Sequence, residues 1–180
     1  MLIKFFKLAL IVLFYQGPLY SKSNILNNFN SHHLSNYFSG IVAYDNNDNS
    51  QALKFFRSSK QLIKKHNLYL ENYIYTLVLE GRVQKAISEI KQNLTVNNSN
   101  FFEAHLVLAI ESLKKKDYKK SKKHLQKSYE FINNDRFSLI ITETLKQYLY
   151  VFEENKILKK KNKFGNFSVI NEVFQKCYLK

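Results

Sequence analysis

Few side chains in this sequence are spaced for chemistry. His32, His33, His66, His105 and His124 show no paired spacing of the His-Glu-x-x-His kind, and no cysteine lies near any of them. A helical zinc site needs two ligands one turn apart, so no such site is encoded. His32-His33 falls in a polar stretch that reads as linker, where the pair is solvated or makes a weak metal contact. Cys177 is the one cysteine, which excludes an internal disulfide framework and a cysteine-rich metal site. A thiol with no internal partner cannot mispair, so it is compatible with an oxidising compartment. Neither a glycine-rich phosphate loop nor a nucleophile elbow is present. The expectation is a protein that is not an enzyme, with no catalytic residues, no metal and no cofactor.

Charge is the other chemistry on offer. The 180 residues carry 28 Lys plus Arg against 14 Asp plus Glu, a formal net charge of +14. Lys supplies 25 of those cations and Arg only three, alongside 20 Asn, 15 Phe, 14 Ile and 12 Tyr. That profile follows AT-rich codons, which raise lysine at solvated positions without any selection for a polyanion. Nucleic-acid sites favour arginine, whose planar fork pairs bidentately with phosphates and base edges, so nucleic acid is not the expected partner. The densest run, Lys114 to Lys127, holds eight lysines and one aspartate. Within it Lys119, Lys120, Lys122, Lys123 and Lys127 fall on the outer face of a helix. Two readings follow: a solvated face, or a patch for a polyanion or anionic lipid.

The elements that would position these groups start after a targeting segment. Lys4 and Lys7 flank the start of an uninterrupted apolar run, Leu8 to Phe14, and Gly17-Pro18 breaks it. Ser21 and Ser23 then supply small residues for cleavage after Ser23. This is the layout of a secretory signal peptide over residues 1–23, delivering the chain to the periplasm or outside the cell. The alternative is an uncleaved inner-membrane anchor, the only arrangement in which a membrane contact is expected. Its difficulty is length: Leu8 to Tyr15 is eight residues, and a span needs about 20. Residues 24–32 read as linker.

Beyond the linker the chain repeats. Ala52, Ala86 and Ser121 sit in amphipathic patterns 34 and 35 residues apart. Twelve residues before each stand Gly40, Ile74 and Ala109; four after stand Phe56, Ile90 and Leu125; seven after stand Ser59, Asn93 and Ser128. Val83, Ala86, Ile87, Ile90 and Leu94 form one helical stripe, and Tyr118, Ser121, Leu125, Tyr129 and Ile132 form another. Polar turns divide each unit, at Asp45 to Asn49, Glu80 to Arg82 and Lys115 to Asp117. Asn97 to Asn100 and Asn133 to Asp135 separate the units and suit helix ends. Three helix–turn–helix units are expected, over 33–66, 67–100 and 102–135. With 45% hydrophobic residues, four Gly and one Pro, the chain can pack a helical core but lacks the turn-makers of a sandwich, a propeller or a dinucleotide-binding fold.

This pattern resembles the tetratricopeptide repeat family. Small residues at the helix crossing match at Gly40, Ala52, Ala86, Ala109 and Ser121, and the large apolar position matches at Phe56, Ile90 and Leu125. Two departures are plain: no unit ends on the usual Pro, and Ile74 stands where a small residue is expected. The whole chain is similar to exported bacterial proteins of this family. The resemblance implies an all-α fold, an α-solenoid of about three repeats plus C-terminal helices, acting as a scaffold that binds a protein or peptide partner. It also implies a concave groove lined by the first helices: Leu34, Tyr37, Ile41 and Tyr44; Leu68, Glu71, Tyr75 and Val78; Glu103, Leu106, Ile110 and Leu113. Most of the aliphatic residues there would serve the core. Tyr37, Tyr44, Glu71 and Tyr75 are the expected partner contacts, because aromatic anchors dominate interface energy.

Residues 136–180 read as a helical extension. Phe137 to Leu158 is strongly apolar, Lys159 to Lys163 and Gly165 form a linker, and Ser168 would cap a last helix. That helix carries Val169, Ile170, Val173, Phe174, Cys177 and Tyr178. A terminal unit ordinarily presents a polar outer face. An apolar one points instead to a shortened array, or to docking on a partner or a second copy.

Overall fold

The architecture is set by one kind of turn used three times. A computed structural model describes residues 31–66, 68–93, 100–132 and 135–180, all within one unit, Ser31–Lys180. Among the described residues there are eight α-helices and no strand. Helices α1 (Ser31–Asp45) and α2 (Asn49–Ser58) form the first hairpin, and α3 (Tyr69–Leu79) and α4 (Val83–Asn93) the second. The third is α5 (Phe102–Lys114) with α6 (Tyr118–Tyr129), followed by α7 (Arg136–Glu154) and α8 (Asn166–Tyr178). A 3₁₀ turn, Lys60–Lys64, leads from the first hairpin to the second.

Each hairpin reverses at a residue in the left-handed region: Asn47 (φ 61°), Gly81 (φ 69°) and Lys116 (φ 58°). The next amide then reaches back five residues. Asp48 donates to the Ala43 carbonyl at 2.9 Å, Arg82 to Leu77 at 2.8 Å and Asp117 to Ser112 at 2.9 Å. These bonds satisfy carbonyls that a helix end leaves unpaired. Asp48 and Asp117 go on to cap the following helices, accepting from the amides of Gln51 at 3.0 Å and Lys120 at 3.1 Å. Each such cap contributes about 1 kcal/mol. Gly81 takes the left-handed conformation without a β-carbon to clash, whereas at Lys116 it costs roughly 1 kcal/mol.

Where the two helices of a hairpin cross, side-chain size sets their distance. A β-carbon on Gly40 would lie 2.8 Å from the Phe56 ring, so only glycine lets α1 seat on that ring. In the third hairpin Ala109 and Ser121 are both buried, and the Ser121 hydroxyl donates to the Ala109 carbonyl at 2.9 Å. In the second hairpin Ile74 occupies the equivalent place against Ala86, and α3 and α4 run close together over a shorter stretch. The core runs through these crossings. Tyr37, Leu53, Phe56, Tyr69, Leu70, Tyr73, Ile74, Leu77, Ile90 and Leu108 join the units into one apolar cluster. Burying each such side chain contributes about 1.5–3 kcal/mol. At the end of each second helix a small polar side chain bonds a carbonyl of the last turns: Ser59 to Phe55 at 2.9 Å, Asn93 to Glu89 at 2.8 Å, Ser128 to Leu125 at 2.7 Å. The chain is thus an all-α solenoid of helix–turn–helix units.

Some expectations need correction. His32 and His33 lie in the first turn of α1, where the His33 ring sits 2.9 Å from the Ser58 carbonyl, so residues 31 and 32 are not linker. Gly165, not Ser168, stands at the N-cap of α8, and Ser168 accepts from the Phe164 amide at 2.6 Å. The anticipated signal segment (1–23), the linker before residue 31, Leu94 and the asparagines at 97, 98, 133 and 134 lie outside the described residues. Among the described residues no helix is long and apolar enough to cross a membrane.

Candidate functional site

The first helices carry the groove residues on one stripe each, because positions three, four and seven apart share a helix face. Exposure varies along it. Tyr37 is 1% exposed, its hydroxyl taken by Asn72 Nδ2 at 3.0 Å and its ring packed on Phe56 and Tyr69. It is a core residue that a partner cannot touch, which corrects its place among the expected contacts. Tyr44 is half-buried and packs against the core cluster. Leu68, Val78 and Ile110 are exposed, while Leu106 and Leu113 are half-buried.

Glu71 and Tyr75 are brought together one turn apart on α3, both half-buried, and the Tyr75 hydroxyl donates to Glu71 Oε1 at 3.3 Å. The start of α5 adds Glu103, whose charge acts on the same hydroxyl. Burial first, then the neighbouring Glu103 charge, raises the Glu71 carboxyl above its ordinary range. Burial and the two carboxylates also push the Tyr75 phenol upward, so it remains a proton donor. One hydroxyl thus faces two acids on adjacent units, beside exposed aliphatic side chains. A cation placed there would relieve the repulsion between the acids and strengthen with their ionisation. Glu103 lay on the groove stripe in sequence, but its pairing with Tyr75 required the stagger between α3 and α5.

Two other groupings escaped the sequence reading. His105 and His124, 19 residues apart, place their Nδ1 atoms 3.4 Å from each other, and the His105 ring stacks on Phe131 with centroids 5.6 Å apart. Burial above all, then the His124 and Lys127 charges, pulls His105 down to about 4. No spacing motif marks this pair, which exists only because α5 and α6 cross. Among the described residues no three of His, Cys, Asp and Glu gather to hold a metal. Between α6 and α7 lies an apolar hollow of about 370 Å³, lined chiefly by Leu125, Tyr129, Leu149, Tyr150 and Leu158.

The lysine patch is exposed as expected: Lys119, Lys120, Lys122, Lys123 and Lys127 all reach solvent from α6. Two of them are engaged, Lys120 with Asp117 at 2.8 Å and Lys122 with Glu153 of α7.

No known family profile matches the chain, and no curated protein does. A solved structure does: the crystal structure of the Sgt2 tetratricopeptide-repeat domain from Aspergillus fumigatus superposes with a TM-score of 0.54 at 17% identity, over 74% of this chain and 89% of that one. The fold is therefore like that of a tetratricopeptide-repeat domain.

Proposed function

We propose that this chain is a non-catalytic, exported scaffold that binds a protein segment along its first helices, with Glu71, Tyr75 and Glu103 selecting a cationic side chain or amino terminus. The carrying observation is the Tyr75 hydroxyl bonded to half-buried Glu71, with the charge of half-buried Glu103 acting on both. Exposed Leu68, Val78 and Ile110 would take the apolar part of the same segment. The +14 net charge repels cations at long range, but at physiological salt the screening length is about 8 Å and local carboxylates decide. The test is fluorescence anisotropy with two short apolar peptides that differ only in a central Lys or Glu. The Lys peptide should bind more tightly, and Glu71→Gln with Glu103→Gln should weaken it about tenfold, an effect of one charge-assisted contact. Affinity should also fall as acid protonates Glu71, beginning above the ordinary carboxyl value of 4.5. Equal binding of the two peptides would refute the cation preference.

Export rests on Lys4, Lys7, the Leu8 to Phe14 run and Ser21/Ser23. N-terminal sequencing of the native protein should begin at Asn24; a start at Met1 would favour the anchored reading.

A further inference from the structure

Helix α8 is mounted with its polar side inward. Asn171 and Gln175 are its buried residues. Gln175 Nε2 donates to Gln147 at 3.3 Å, Asn171 Nδ2 donates to the Thr144 hydroxyl at 3.3 Å, and Tyr148 donates to Asn171 at 3.4 Å. The opposite face carries Val169, Ile170, Val173 and Phe174, each more than half exposed, with Phe167 at one end. A solvated helix would be turned the other way, since each of these side chains forgoes about 1.5–3 kcal/mol by staying in water. Three hydrogen bonds to α7 hold the inverted orientation, so the apolar face is presented outward rather than left over.

The surroundings of that face have one sign. Residues 156–180 contain seven lysines and a single acid, Glu172. Glu172 is already bonded to Lys161 at 2.7 Å and Lys176 at 2.9 Å. Lys161, which bonds Glu172 of α8, also lines a cleft of about 400 Å³ with Lys146, Lys159, Lys160, Asn162 and Glu143. Its one carboxylate, Glu143, accepts from Tyr129 and lies 3.4 Å from Lys146. A second copy of this chain on the apolar face would bring an identical lysine rim against the first. At 13 residues the helix is about 20 Å long, too short to cross the roughly 30 Å hydrocarbon layer, and its polar side is tied to the body. An aromatic and aliphatic face flanked by lysines, lying flat, is the composition of an interfacial helix.

We propose that the α8 face and the adjoining lysine cleft form a docking surface for an anionic lipid bilayer, with Val173 and Phe174 entering the acyl boundary and Lys159 and Lys160 meeting headgroup phosphates. The test is co-sedimentation of the full chain with phosphatidylcholine vesicles, with and without phosphatidylglycerol. Binding should require phosphatidylglycerol and weaken with salt. Val173→Asp with Phe174→Asp should cut it at least tenfold, and Lys159→Glu with Lys160→Glu roughly fivefold per lysine. These positions are exposed, so far-UV circular dichroism should be unchanged in both variants. Undiminished binding in the Val173→Asp/Phe174→Asp variant would overturn the proposal by placing the affinity elsewhere, including in the apolar N-terminal segment. Equal binding to both vesicle types would overturn it as well. So would absence of binding together with a dimer that Phe174→Asp dissolves, which would make the face an interface between copies.

Discussion

The second and third hairpins have the same turn and nearly the same length, yet they are held together differently. At the third crossing Ala109 lets the backbones meet, and the closeness puts Ser121 within reach of a carbonyl and His105 against His124. At the second, Ile74 acts as a spacer, so cohesion there comes from the side chain itself and from the cluster around Tyr69, Tyr73 and Leu77. Outside that cluster, Glu89 on α4 is buried and takes bonds from Lys60 at 2.8 Å and Lys85 at 3.1 Å. The lesson is that one β-substituent chooses between polar contacts at close approach and apolar filling at wider spacing.

The largest effect should come from removing the spacer. Ile74→Ala is expected to cost about 3 kcal/mol in urea unfolding, the transfer and cavity penalty of a fully buried isoleucine. A loss below about 1 kcal/mol would mean that α3 and α4 close onto the alanine and that the two hairpins are interchangeable. Next comes acid. The folded-state pKa of His105, about 4, lies below its ordinary 6.5, so the unfolded chain binds the proton first. The associated stability is present above about pH 6.5 and is lost as pH falls toward 4, by up to about 3 kcal/mol. Unfolding measured across that window should show the slope, and His105→Phe should flatten it while the rings still stack on Phe131. Smallest is Ser121→Ala, which removes the hydroxyl bond to the Ala109 carbonyl and should cost about 1 kcal/mol. The same hydroxyl deletion in the second hairpin has no counterpart, since Ala86 already stands there.

Much of this was legible in the chain. The period of Ala52, Ala86 and Ser121 and the turn residues near 47, 81 and 116 are local facts, because helix face and turn conformation depend on neighbours a few positions away. The groove was legible only as a stripe. Tyr37 and Tyr75 occupy similar stripe positions, and nothing local says that Asn72 and Phe56 enclose the first while the second stays open beside Glu71. The orientation of α8 was hidden for the same reason: an amphipathic pattern tells which residues share a face, not which face meets the protein.

The sequence by itself determined the all-α class, the 34-residue rhythm and the small-and-large alternation at the crossings. Those follow from intrinsic helix periodicity and from what each side chain can or cannot do. Tertiary structure alone decided that Glu71, Tyr75 and Glu103 converge, that His105 meets His124, and that α8 buries Asn171 and Gln175 while offering Val173 and Phe174 to its surroundings. Each of these depends on contacts between residues distant along the chain, where stagger and packing, rather than spacing, choose the partners.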